Sequence, residues 1–126
     1  MIPCKWIRKA VEDLVVAGDE AEKITWASVF HSQQAVEKAL KALLASIGVQ
    51  PPKTHSIEYL LFLLKERGMD TSQIKYAARL SDYAVEARYP DFEEEPSVEE
   101  ALNALAIARS VVEWVIRQLS LRGIEC

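Results

Sequence analysis

The densest pattern in the chain lies at residues 26–48, WASVFHSQQAVEKALKALLASIG, whose side chains sort into three stripes when wound at helical spacing. Trp26, Val29, Val36, Leu40, Leu43 and Ile47 fall on one side, and Ser28, Ser32, Ala35, Ala39, Ala42 and Ser46 form a side of small residues only. Gln34, Glu37, Lys38 and Lys41 make the third, which covers only about 100° of the circumference. So narrow a polar stripe predicts a central helix flanked by others, with the small side admitting a close neighbour.

The remaining chain predicts four more helices. Pro3 opens the first, over 3–22, with Trp6, Ile7, Ala10, Val11, Leu14, Ala17 and Ala21 along one face. Thr25 is placed to cap the central helix and Gly48 to end it, after which QPPKTH cannot continue helically. Ser56 caps a short third helix carrying Ile57, Leu60, Leu61 and Leu64, stopped by Gly68. Asp70 and Gln73 resemble a capping box for a fourth helix over 71–88, closed before Pro90. Ser97 and Glu100 form a regular capping box for a long fifth helix with Val98, Ala101, Leu102, Leu105, Ala108, Val112, Val115 and Leu119 on one face. No alternating β-branched run occurs, so the fold class is all-α: an up-and-down bundle of four to five antiparallel helices joined by short loops.

Length and charge narrow the picture. A chain of 126 residues reads as one domain, 1–126, able to bury a core without staples. Cys4 and Cys126 stand at opposite ends, so neither a disulfide framework nor a zinc site is expected. The net charge of −4 argues against broad, non-specific nucleic-acid binding. With no signal-like leader and no membrane-length apolar run, a cytoplasmic protein is expected.

Arg88 is the residue that breaks pattern. It follows Ile74, Ala77, Ser81, Ala84 and Val85 on the apolar stripe of the fourth helix, yet a guanidinium cannot shed its proton and is costly to bury alone. It either snorkels out at the helix end or faces a carboxylate, a phosphate or a partner chain. If successive helices alternate in direction, Lys41, Lys53, His55 and Arg88 gather at one end with the unpaired N–H groups that open the third and fifth helices, making an anion site. Glu93, Glu94 and Glu95 are placed to neutralise the same cations. Gln34, Lys38 and Lys41 share one line of the central helix, where a solvated face with a Glu37–Lys41 pair accounts for them without a function. His31, beside Phe30, reads as a partly buried packing residue. With His55 24 positions away and no second ligand at short spacing, no metal is expected. Phosphate-loop, serine-hydrolase and cysteine-nucleophile patterns are absent.

Taken in order, FHSQQAVEKALKALLASIG, THSIEYLL after a proline-containing linker, a helix ending ARYPDF, an acidic loop and SVEEALNALAIARSVVEWV resemble the HEPN domain family over nearly the whole chain. The most specific part is QQAVEKALKALL with the isolated His55 and the RYPD at Arg88 to Asp91. The resemblance implies a helical bundle, commonly a homodimer, often bound by a minimal nucleotidyltransferase in a toxin–antitoxin arrangement, and associated with nucleotides or RNA. The RNase members of that family carry an Arg-x4-6-His motif. Here Glu93, Glu94 and Glu95 occupy the histidine's places, and imidazole is the group whose proton chemistry suits the cleavage. The motif therefore reads as degenerate, with Arg88 and His55 the only catalytic candidates. The candidate phosphate-binding set is Gln34, Lys38, Lys41, His55, Arg88 and Tyr89, with the Tyr89 hydroxyl a candidate acceptor of a nucleotide. No cofactor is expected. A non-catalytic dimerisation or adaptor bundle, using Trp6, Trp26 and Trp114, stands as the alternative.

Overall fold

The structure, a computed structural model, describes all residues except Arg88 and the stretch 91–93, and leaves aside the side chains of Asp82, Tyr83 and Val85. Its helices are α1 (Ile2–Glu20), α2 (Thr25–Ser46), α3 (Ile57–Glu66), a 3₁₀ turn at Lys75–Arg79 leading into α4 (Leu80–Glu86), and α5 (Val98–Leu121). No strand occurs among the described residues, as the periodicity predicts.

α2 is the central helix. Its small side lets α1 approach closely enough for the Ser28 hydroxyl to donate to the Ala17 carbonyl, buried, at 2.7 Å. Its bulky side contributes Val36, Leu40 and Leu43 to the core with no exposure, and Leu44, outside the predicted stripe, is equally buried. Ser32 on the small side keeps a buried hydroxyl with no hydrogen-bond partner among the described residues. Gly48, at φ +79°, ends the helix as expected. Thr25 is not the cap: Ile24 holds that place with no side-chain bond.

Around this axis most local signals hold, though Val11, predicted on the inward face of α1, is 41% exposed. Ser56 caps α3 by accepting from the Tyr59 N–H at 3.1 Å, and Ile57, Leu60, Leu61 and Leu64 are all buried. Ser97 and Glu100 close a full capping box on α5. The fourth helix starts later than predicted, because Asp70 accepts from the Ser72 N–H in a tight local turn and Ile74 and Ala77 reach the core through i→i+3 bonds. On α5, Val98 and Leu102 are 40% and 45% exposed, while Ala104, Val111 and Trp114 are buried; packing against both α1 and α2 widens the buried face beyond one stripe.

The two cysteines, expected to be unpaired, form a disulfide between Cys4 and Cys126. α5 runs antiparallel to α1, so the Gly18 end of α1 meets Leu105 and Arg109, and the start of α1 meets the residues after α5. Gly123, at φ +82°, turns those last residues back, and Ile124 settles against the core. Separation along the chain concealed a neighbour in space. The same geometry makes α5 run in the direction of α2, so the start of α5 does not lie at the end of the molecule that carries the C-terminus of α2. No helix among the described residues is long and apolar enough to cross a membrane.

Candidate functional site

The polar stripe of α2 is not a solvated face. Glu37 is 3% exposed and Lys41 7%. A buried carboxylate needs donors on both oxygens, and Glu37 has them: Lys41 Nζ at 2.9 Å on Oε1, and His55 Nδ1 at 3.1 Å, Gln34 Nε2 at 3.2 Å and Gln33 Nε2 at 3.4 Å on Oε2. Lys41 Nζ also sits 5.6 Å from the Trp6 ring centroid, a cation–π contact that replaces part of its lost hydration.

His55 belongs to the linker just before α3, and two bonds place it. Gln33, fully buried, donates to the His55 carbonyl at 3.0 Å, while its own carbonyl accepts from Gln34 at 2.9 Å. Glu37 takes the ring by Nδ1. Because a carboxylate only accepts, Nδ1 carries the hydrogen, which leaves Nε2 as the atom for outside chemistry. The side chain is 74% exposed although its anchor is buried. Such a ring can donate to, or accept from, a group arriving from solvent without first being oriented.

A second group of the same composition lies between α1 and α2. Asp13, buried on the otherwise apolar face of α1, accepts from Lys38 Nζ at 2.6 Å and from His31 Nδ1 at 2.8 Å. His31 meets Phe30 edge-on, so it packs as expected, but it also serves as a hydrogen-bond donor.

Of the residues predicted from sequence, the structure brings together Gln34, Lys41 and His55 around Glu37. Lys38 goes to Asp13 instead. Tyr89 is 52% exposed, and Arg88 lies outside the described residues, as does Glu93. Lys53 is exposed. The helix starts are less open than supposed: the Ile57 N–H of α3 donates to Ser81 Oγ at 2.9 Å, Tyr59 N–H is taken by Ser56, and Glu100 N–H of α5 by Ser97. Sequence reasoning missed Gln33 and Asp13. A signal existed for Asp13, an acid interrupting the i, i+3, i+4 apolar series of the first helix between Ala10 and Ala17. Among the described residues, no group of three or more His, Cys, Asp or Glu is placed to hold a metal ion.

Comparison with known proteins supplies the family. No curated protein sequence matches significantly. TT1696 from Thermus thermophilus shares 31% identity and superposes with a TM-score of 0.77, over 90% of this chain and 94% of that one. ST0689, described as an archaeal HEPN homologue, shares 27% identity with a TM-score of 0.72, over 93% of this chain and 97% of that one. The HEPN domain family itself matches residues 4–119. That span takes in both carboxylate groups and the body of every helix described, and the chain belongs to the HEPN domain family.

Proposed function

We propose that this HEPN protein, a single domain over 1–126, binds the phosphate of a nucleotide or of RNA at the face carrying His55. In this reading it works as the cytoplasmic partner of a minimal nucleotidyltransferase in a toxin–antitoxin-type module. The observation that carries the proposal is the contrast at His55, a ring 74% exposed and yet held by a carboxylate 4% exposed. An exposed ion pair adds little stability, whereas a group that must meet an anion in one orientation gains from such a support. Lys41 offsets the charge of Glu37, so a protonated His55 leaves the group net positive, and Lys53 adds charge two residues earlier. Gln34 steadies Glu37, Lys38 is paired with Asp13 in the neighbouring group, and the proposal also assigns Arg88 and Tyr89 to the phosphate. Cleavage of RNA by the Arg-x4-6-His route is not expected, with glutamates at 93, 94 and 95.

The test combines the protein with ATP, alone and together with a minimal nucleotidyltransferase. An ATP-dependent thermal shift or a mass increase is expected, with His55→Ala abolishing the shift while the circular dichroism spectrum is unchanged. No shift and no mass gain under either condition would remove the proposal. RNA cleavage that disappears on Arg88→Ala would restore the RNase reading. The second reading, a homodimerisation or adaptor bundle, is supported by the exposed Val11, Val15 and Val16 of α1. A dimer in light scattering that ignores every nucleotide would favour it.

A further inference from the structure

One residue after His55 the chain enters the cap of α3, whose inward side is filled by Ile57, Leu60, Leu61 and Leu64. Tyr59 and Phe62 therefore stand on the outward side, 45% and 52% exposed. Their ring planes lie within 19° of parallel with centroids 6.3 Å apart. Touching ring faces would be about 3.5–4.0 Å apart, so the pair is offset and leaves aromatic face open to solvent. With Ser56 and Glu58 the two rings line an open groove of about 300 Å³.

We propose that this groove takes the base of a purine nucleotide whose phosphate is held at His55; the inference rests on the phosphate reading above and adds the base. Flat parallel aromatic rings in water are a stacking platform for a base, and the larger purine spans more of an offset pair than a pyrimidine does. Glu58 supplies direction. Its carboxylate only accepts, so it takes the N–H donors on the pairing edge of the base, the amino group of adenine or the imino and amino groups of guanine. Among the described residues no Lys or Arg lines the groove, so a phosphate has no cause to choose it over His55. Ser56, which lines the groove, directly follows His55, so the residues assigned to base and phosphate are neighbours along the chain.

Calorimetric titration with AMP, GMP, UMP, adenosine, ribose 5-phosphate and a short single-stranded RNA tests this on the wild type, Phe62→Ala, Tyr59→Ala and His55→Ala. All three side chains are exposed, so the variants are expected to fold. AMP and GMP are expected to bind about ten-fold tighter than UMP or ribose 5-phosphate, and Phe62→Ala and Tyr59→Ala to remove most of that margin. His55→Ala is expected to weaken every phosphate-bearing probe. The RNA binding no tighter than AMP identifies a free nucleotide as ligand; tighter binding with the same Phe62 dependence identifies RNA, and either supports the groove. Ribose 5-phosphate binding as tightly as AMP, or Phe62→Ala leaving AMP untouched, overturns the groove while the His55 phosphate site stands. Adenosine binding lost on Phe62→Ala with no effect of His55→Ala on AMP keeps the groove and overturns the phosphate site. No binding by any probe overturns both, and an effect of Phe62→Ala on sedimentation alone assigns the rings to a protein interface and overturns the groove.

Discussion

Glu37 and Asp13 are buried acids that each hold one lysine and one histidine, the histidine by Nδ1 in both cases. Their surroundings differ. Around Asp13 the lysine and histidine side chains are 27% and 32% exposed, and all bonds run between α1 and α2. Around Glu37 the lysine side chain is 8% exposed, while the side chain of the histidine, brought in from the linker before α3, is 74% exposed. The same three residue types thus make a clasp between two helices in one place. In the other they make a buried ion pair that presents an exposed ring to solvent. Composition cannot tell these apart; burial of each partner does.

The largest effect should come from removing the acids themselves. Glu37→Ala strands Lys41 in the interior without a counter-charge and should cost about 3–5 kcal/mol in urea unfolding. Asp13→Ala should cost less, about 1–3 kcal/mol, because Lys38 and His31 are already partly in water and can turn outward. Equal losses, or the reverse order, would break the comparison.

Next in size is the disulfide, of a kind typically worth about 2–4 kcal/mol. Cys4 lies two residues before Trp6, which covers Lys41. In double-mutant cycles the Cys4→Ser/Cys126→Ser change should therefore couple to Glu37→Ala and simply add to Asp13→Ala. Free-thiol titration of the purified protein gives the starting state for that measurement.

The histidines should separate the two groups most clearly. His31→Ala is expected to lower stability by about 1 kcal/mol, and His55→Ala by less than about 0.5 kcal/mol, with the loss of phosphate binding confined to His55→Ala. A large stability loss at His55 would make it a structural residue.

The smallest effect is electrostatic and lies outside both groups. The backbone N–H and the hydroxyl of Ser72 hold the Asp70 carboxyl below its ordinary value. A lowered folded-state value means the stabilisation is present above the unfolded-state value and is lost as pH falls through the folded one. The difference in stability between wild type and Asp70→Asn should therefore be full at neutral pH and shrink on acidification. A difference that grows with acid would contradict this.

Much of the bundle could be read along the chain, since its signals are local. The stripes of α2, the four buried residues of α3 and the Ser97/Glu100 box depend on residues within a turn or two of one another. The site was legible only in part. Glu37 and Lys41 at i,i+4 looked like a surface pair, and nothing in that spacing tells that Trp6, Gln33 and His55 close over them from α1, the neighbouring turn and the linker. Arg88, the residue that breaks the apolar pattern of the fourth helix, lies outside the described residues.

Periodicity, caps and breakers were thus sufficient to determine that this protein is helical and where four of its five helices run, because each is set by contacts a few residues long; the start of the fourth helix and the full inward face of α5 were not read there. Which polar groups are buried, that Cys4 reaches Cys126, and that His55 stands exposed on a hidden carboxylate were decided by how the helices pack. Those relations join residues 18 to 122 positions apart, and no periodicity along a chain records a distance across a core.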